Sequence, residues 1–484
     1  MKKNISNILF AALVIATAAS CQKEELGIES QAETGGSRVL VASFDQTITR
    51  TTLGDDHLTP KWAEGDVIKL TDGTNSQDFT LVASVTDEAN KAQITNGGAN
   101  FTVTIPGSWG TTIYGCYPAS AFDKISEEAV AITIPSSQDG SFAAANICTA
   151  KTTGSTLAFQ NATALLKITT EEATKAVNIA ISGASSITLT PSSAGVNYVA
   201  IPTGKTFKDF TFTAIKTATN WAAKTSSHST VIEQNKIYDL RAVSGWTYND
   251  DGNTLWGQFT VNGDSKKVRF SKGNLRAKKG GDNWTWGFYD NQYECNSLNG
   301  SSSSRTAKSE DTEIDLFCWG YNDHNSVVPT TSSCESSFSD WGPQVGSGWS
   351  TLSSSEWEYL ITTRGTGVTY RKYGVTVCGK ANCLVIAPDG NTTAIASSYD
   401  ASAWAAAEAS GFVCLPAAGY RNGSDVGNVG GYGGYWSSSP NVSEASGSYL
   451  LYFINSSVAP SNSGYRYYGH SVRLVVSSTD TPAS

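Results

Sequence analysis

The sequence predicts a mainly β protein: two antiparallel β-sandwich subdomains in the N-terminal half, then an α+β domain carrying two helices. Three observations point there. Aromatic residues make up 10% of the chain, Met occurs once, Gly occurs 45 times and only 16% of residues are charged, a balance that suits sheets with long loops better than helical bundles. Apolar and polar residues alternate in many short runs. At 484 residues the chain exceeds one core, and its tryptophans split it: Trp62, Trp109 and Trp221 precede residue 245, and the other ten of the 13 follow. Val243-Ser244-Gly245 marks the expected junction.

The chain opens with Lys2-Lys3, an apolar stretch from Ile5 to Ala16, and Ala18-Ala19-Ser20-Cys21, the three parts of a secretion signal over residues 1–20. A Cys directly after a small-residue site resembles a bacterial lipobox, so Cys21 is the expected lipidation site. Net charge is -9, and loss of Lys2 and Lys3 with the leader takes it to -11, which argues against a nucleic-acid partner. Residues 21–37 are polar and read as a tether. Eight further cysteines (Cys116, Cys148, Cys295, Cys318, Cys334, Cys378, Cys383, Cys414) are either disulfides, which export permits, or buried thiols.

From residue 38 strands follow in order. Val39 to Phe44 alternates as a first strand, and Thr47-Ile48-Thr49-Arg50-Thr51-Thr52 follows it. Trp62-Ala63-Glu64-Gly65-Asp66 is a turn feeding the strand Val67 to Leu70. Leu157 to Ile168 and Lys236-Ile237-Tyr238-Asp239-Leu240 are further apolar runs. In this order these segments resemble the fimbrillin-like lipoproteins of Bacteroidetes type V pili. The resemblance implies two transthyretin-like sandwiches, 38–140 and 141–244. It also implies assembly by strand exchange, in which cleavage after an Arg, here Arg50, removes the first strand and a neighbour's strand replaces it.

The expected third domain, 245–478, starts with the strand Lys267 to Phe270 and a turn at Gly273-Asn274. Ser353-Ser354-Ser355-Glu356 has capping-box spacing, with Trp357, Leu360 and Ile361 on one helix face. Cys383 to Ala387 reads as a buried strand ending in Pro388-Asp389-Gly390. Asp400 opens an Ala-rich helix that Gly411 stops. Then come Leu415-Pro416-Ala417-Ala418-Gly419-Tyr420-Arg421, Tyr435-Trp436-Ser437-Ser438-Ser439 and Ser471-Val472-Arg473-Leu474. This series resembles the C-type-lectin-fold domains related to the formylglycine-generating enzyme, found in major-paralogue surface proteins and in variable proteins diversified by retroelements. Residues 479–484 form a tail.

Between the scaffold motifs lies a mix of Ser, Asn, Tyr and Gly of the kind antibody loops use for contact. If Leu451 and Phe453 face the core, Ser448, Leu450, Tyr452 and Ile454 face outward. Ser461, Ser463, Tyr465, Tyr467, Tyr468 and His470 flank the scaffold residues Arg466, Gly469 and Ser471, and Asn441 lies before them. Asn422, Asp425, Asn428 and Tyr432 occupy a Gly-rich loop that could border the same patch. Such an apolar, hydroxyl-bearing surface marks an interaction site. In retroelement-diversified relatives Asn codons are randomised at adenines, and every one of these outward positions holds a reachable residue.

Catalytic signals are missing from the sequence. His57, His228, His324 and His470 are scattered, with no His-Glu-x-x-His, Cys-x-x-Cys, nucleophile elbow or phosphate loop. The acidic stretch Glu310 to Asp315 lacks the spacing of a Ca²⁺ loop, and Tyr321-Asn322-Asp323-His324-Asn325 matches no sugar-binding triplet. No cofactor or metal is expected. No cysteine lies in Tyr435 to Val475, where formylglycine generation would need one. The expectation is a non-enzymatic, lipid-exported pilus tip adhesin at the outer membrane and cell surface, joined to other subunits by strand exchange. Its ligand would be a host, bacterial or glycan partner. The alternatives are a non-pilus glycan-binding surface lipoprotein and, as a minor one, a formylglycine-generating-type enzyme.

Overall fold

Trp62 sits at the centre of the first unit: its ring stacks on Phe44 at 3.9 Å and meets Phe101, Tyr117 and Phe159 edge-on at 4.8–5.3 Å. The turn that follows it is self-bracing. Asp66 accepts the Ala63 N–H (2.8 Å) and the Tyr117 hydroxyl (3.0 Å), while Gly65 takes the left-handed φ of +92°. The computed structural model describes residues 37–44, 61–84, 90–226, 229–280, 283–295, 304–306, 313–320, 337–422 and 425–478. The expected roles of Cys21 and Arg50, the Tyr321–Asn325 cluster and Cys334 lie outside those residues. So does the start of the acidic stretch. Of its described members, Glu313 faces Arg276 and Lys278 at 3.7–3.8 Å, and buried Asp315 accepts the Tyr289 hydroxyl at 3.3 Å.

The protein is mainly β, as expected. Around Trp62 eight strands close into a barrel. Its order is Ser37–Phe44, Thr156–Asn161, Cys148–Thr152, Ile113–Tyr117, Val67–Thr71, Ser76–Val82, Lys91–Thr95, Asn100–Pro106, and back to the first. Pairing is mostly antiparallel, but the first strand runs parallel to 156–161 (Val41 opposite Thr156). The expected boundary at residue 140 is therefore corrected: strands 148–152 and 156–161 belong to the first unit. Alternation identifies a strand but not the sheet it joins. In the opposite sense, Ser137–Gln138 pairs with Ile187–Leu189 of the second unit, and the Gln138 side chain holds the Ala200 N–H and C=O at 2.8 and 3.0 Å. The units interleave, sharing a small core of Cys116, Ala121, Ala145, Ile147, Leu165 and Ala200.

The second unit is two facing sheets. Ala164–Thr170 lies between Gly195–Ile201 and Ile237–Ala242, and a five-stranded sheet is built on Ala176–Ile181 and Phe210–Thr217. Ile, Leu, Val and Phe side chains from both fill its core, and Val243, Trp246 and Tyr248 also pack there. The second and third units are keyed together. Trp256 is buried with Ala176 and Ile215, its N–H on Ala218 O (3.1 Å) and its indole N–H on Ala409 O (3.0 Å). Trp221 donates to Thr254 O (3.2 Å) beneath the Arg269 guanidinium, 3.9 Å from its ring.

Both expected helices of the third unit form. Ser353 caps Ser354–Glu358 through a full capping box with Glu356, and Trp357, Leu360 and Ile361 are fully buried. Asp400 caps Ala401–Ala409 by accepting the Ala403 N–H at 2.8 Å, and Gly411 at φ +86° ends it. Leu474–Ser477 lies inside a four-stranded sheet, between Lys267–Phe270 and Trp349–Thr351. Gly433–Pro440, Gly447–Ile454 and Ser457–Tyr465 form a three-stranded antiparallel sheet that carries seven of the candidate ligand residues, Ser448, Leu450, Tyr452, Ile454, Ser461, Ser463 and Tyr465.

Cys116, Cys148, Cys378, Cys383 and Cys414 are free thiols. Cys116 and Cys148 sit on adjacent strands, but Cys148 is opposite Tyr117 and Cys116 opposite Thr149, so their side chains point to opposite faces. Among the described residues no helix is long and apolar enough to cross a membrane, and no group of three or more His, Cys, Asp or Glu could hold a metal ion.

Candidate functional site: a tyrosine array

The scaffold motifs form the frame of the site. Tyr435, fully buried, receives the Asn274 amide N–H on its hydroxyl (3.0 Å) and donates to Pro416 O (2.9 Å). The Trp436 indole N–H reaches Phe317 O (2.7 Å), and that of Trp319 reaches Ser437 O (2.9 Å). Ser439 Oγ accepts the Ser354 N–H (3.0 Å), tying the sheet to the first helix. Arg466 is buried, donating to Gly447 O and Ser448 Oγ at 3.0 and 3.1 Å with its guanidinium 4.4 Å from the Trp319 ring. Arg473 is fully enclosed, on Asn274 Oδ1 (3.1 Å) and Gln292 Oε1 (2.8 Å), and burial lowers its pKa to about 10.

On this frame six tyrosines touch in sequence. Tyr452 meets Tyr432 (ring centroids 4.9 Å apart), Tyr432 meets Tyr420 (5.5 Å), and Tyr420 meets Tyr468 (5.4 Å). Tyr468 then packs edge-on against Tyr467 (4.9 Å), which stacks on Tyr465 (5.2 Å). Tyr465 is 43% exposed and the other five are partly exposed, so the array forms a surface rather than a core. At its Tyr465 end the hairpin loop holds Val442, 90% exposed, since Asn441 Nδ2 donates to Ser463 Oγ (2.9 Å) and Gly447 is opposite Tyr465.

His470 forms the floor. Its backbone exchanges hydrogen bonds with Phe317 (2.9 and 3.0 Å), and its ring lies 4.7 Å from Trp436 and 5.8–6.4 Å from Tyr420, Tyr432 and Tyr468. Gly434 and Gly464 flank it: a Cβ on Gly434 would come 2.6 Å from Nδ1, and one on Gly464 3.5 Å from Nε2. Burial drives its pKa to about 3, so the ring is neutral at physiological pH. Burial pushes the Tyr432 phenol up, and the neighbouring phenols of Tyr452, Tyr420 and Tyr468 add to this. Burial also raises Tyr468. The array is electrically neutral and donates through hydroxyls.

Several expected ligand residues are corrected by this geometry. Leu450, Ser448 and His470 are buried, not outward. The face of the 447–454 strand opposite Leu451 and Phe453 is covered by a second, tryptophan-rich core that includes Trp319, Trp341, Trp436 and Val472. Only Tyr452 emerges from that cover; Ile454, partly exposed, sits at the far hairpin end opposite Ser457. Ser463 pairs with Tyr449 on the Leu451 side, and Ser461 Oγ donates to Glu358 Oε2 (3.1 Å) on the first helix, so both face away from Tyr452.

Asn422 and Asp425 are exposed and opposite each other beside Tyr420. Asn428, at φ +56°, shapes the turn that presents Tyr432 by accepting its N–H (2.9 Å). Tyr420 and Val442 are functional candidates that sequence reasoning missed. Tyr420 lies within the Gly419-Tyr420-Arg421 scaffold motif, which masks it, whereas an apolar Val442 in the polar loop Asn441 to Ser446 is a usable signal.

No protein-family model matches the chain, and no curated protein matches it. Among solved structures it is similar to a candidate cell adhesion protein from Bacteroides uniformis, at 13% identity and a TM-score of 0.27, over 45% of this chain and 97% of that one. A fimbrial protein from Bacteroides ovatus is 10% identical with a TM-score of 0.25, over 92% of this chain and 100% of that one. A candidate cell adhesion protein from Bacteroides fragilis is 10% identical with a TM-score of 0.22, over 54% and 98%. Likenesses this slight carry no argument about function.

Proposed function

We propose that this chain is a cell-surface pilus tip subunit, exported as a lipoprotein anchored at Cys21, whose C-terminal, C-type-lectin-like unit is an adhesin. The observation that carries the reading is the unbroken contact of Tyr452, Tyr432, Tyr420, Tyr468, Tyr467 and Tyr465 on one neutral, partly exposed surface. Aromatic hydroxyl surfaces of this kind are what binding sites expose and what monomeric proteins otherwise bury. Two further features support the tip position. Strand 474–477 is engaged on both sides within its own unit, so it is not available to a following subunit. Strand 37–44 closes the barrel between 100–106 and 156–161, and its loss through cleavage after Arg50 would open a groove for a donated strand. Immunogold labelling of the protein should mark fibre ends. Labelling along whole shafts would defeat the tip assignment.

Retroelement diversification belongs to the same reading, with variation expected at Tyr432, Tyr452, Tyr465, Tyr467 and Tyr468 and not at the buried Ser448, Leu450 or His470. A second reading, a non-pilus glycan-binding lipoprotein, rests on the same rings. Mass spectrometry of the mature N-terminus separates the two: a start at residue 51 favours the pilus, an intact lipidated Cys21 the alternative. Against an oxidase, Cys383 and Cys414 are fully buried, and burial together with Cys383 pushes the Cys414 thiol well above its ordinary range, away from the reactive thiolate.

A further inference from the structure

The adhesin reading leaves the ligand class open, and the charges around the tyrosines narrow it. Between Tyr420 and His470 the sequence contains four residues with formal charge: Arg421, Asp425, Glu444 and Arg466. The fold treats the two signs differently. Arg421 and Arg466 are 3% and 9% exposed, turned into the frame, whereas Asp425 and Glu444 are exposed. The acids also sit at the two ends of one stretch of the array. Asp425 follows Tyr420 across the hairpin whose Gly427 is opposite Tyr420. Glu444 reaches back to Gly447, opposite Tyr465: a Cβ there would lie 3.2 Å from Glu444 Oε2.

We propose that the surface from Tyr420 through Tyr468 to Tyr465 takes a cationic polypeptide segment, its arginine or lysine heads lying over the tyrosine faces and paired with Asp425 and Glu444. The inference rests on the adhesin reading and adds the ligand's chemistry. Ring faces carry negative potential and attract guanidinium or ammonium groups, Arg most of all. Flanking carboxylates add attraction and suppress acidic partners. The chain uses the same pairing for its own cohesion, with Arg269 3.9 Å from the Trp221 ring and Lys216 3.9 Å from the Tyr248 ring. A net charge of -9 draws such a partner from a distance.

The test titrates the full-length protein calorimetrically with four probes: a nonapeptide alternating Gly and Arg, its citrulline counterpart, its Glu counterpart, and maltohexaose. The arginine peptide should bind, about tenfold more tightly than the uncharged citrulline isostere, and more weakly as salt is added. Asp425→Asn and Glu444→Gln, both on exposed side chains, should each weaken it about two- to fivefold. Tyr468→Ser and Tyr465→Ser should abolish it in protein whose circular dichroism is unchanged. Equal binding of the citrulline or glutamate peptide, or no binding of the arginine peptide, overturns the proposal. Tyrosine-dependent binding of maltohexaose alone would also overturn it while leaving the adhesin surface standing. Arginine-peptide binding that survives both tyrosine variants would sink the surface itself.

Discussion

Gly434 and Gly464 hold the floor of the tyrosine array open from either side of His470. Gly434→Ala would press a methyl within 2.6 Å of His470 Nδ1 and 2.9 Å of Tyr432 Cε1, and His470 has no solvent to move into. We expect a loss of about 1–3 kcal/mol in urea unfolding, accompanied by a change in the near-ultraviolet tyrosine signal as Tyr432 is displaced. His470 also sets an acid sensitivity. Its folded pKa is depressed, so its contribution is fully present above the unfolded value near 6.5 and is lost as pH falls toward about 3. The limit is about 1.4 kcal/mol per pH unit. Unfolding curves at pH 7 and pH 4.5 should show wild type losing more stability than His470→Gln. Equal losses would mean that His470 is not held neutral by the fold. Nothing local in the sequence marks His470 as buried, because its cover comes from Phe317 and Trp436, and Phe317 is more than a hundred residues away.

Helix caps are the elements most readable from sequence, since a cap is a contact between residues three apart. Ser353 accepts the Glu356 N–H (3.2 Å) and the Glu356 carboxylate accepts the Ser353 N–H (2.8 Å), as the spacing predicts. Ser353→Ala should cost about 1 kcal/mol in thermal or urea unfolding, and loosen Ser439, which accepts from Ser354. Strand faces were only half legible. Alternation in 447–454 correctly groups Leu451 with Phe453 and Leu450 with Tyr452, but it does not tell whether the second face is covered. Part of that cover comes from Leu275, Phe317 and Trp319, residues more than a hundred positions upstream. The tyrosines were legible as a population; their order of contact, and the inclusion of Tyr420, required the fold.

At the scale of the molecule, the three units are not beads. The second shares a core with the first through Cys116, Leu165 and Ala200, and is keyed to the third through Trp256. Trp256→Ala should cost about 3–5 kcal/mol and separate the melting of the third unit from that of the second in scanning calorimetry. A single unaltered transition would mean that the joint contributes nothing to cooperativity. The Trp count suggests a junction near 245 on composition alone, yet Trp246 and Tyr248, just past it, pack in the core of the second unit. The exchange of strands between the first two units leaves no mark in the sequence, because Ser137–Gln138 is two residues long and carries no periodic signal.

The engagement of 474–477 with both 267–270 and 349–351 has a kinetic consequence. Those partners are separated by some of the longest spans in the chain, and non-local pairing slows folding. A polypeptide crossing a membrane amino end first would have its barrel complete while the third unit still waited for its closing strand. In refolding from denaturant, the quenching environment of Trp62 should return before the signals of the Trp319 and Trp436 cluster. Under the proposed role as a pilus subunit, a last-folding head would act as a delay, presenting the tyrosine surface only after the barrel has taken shape.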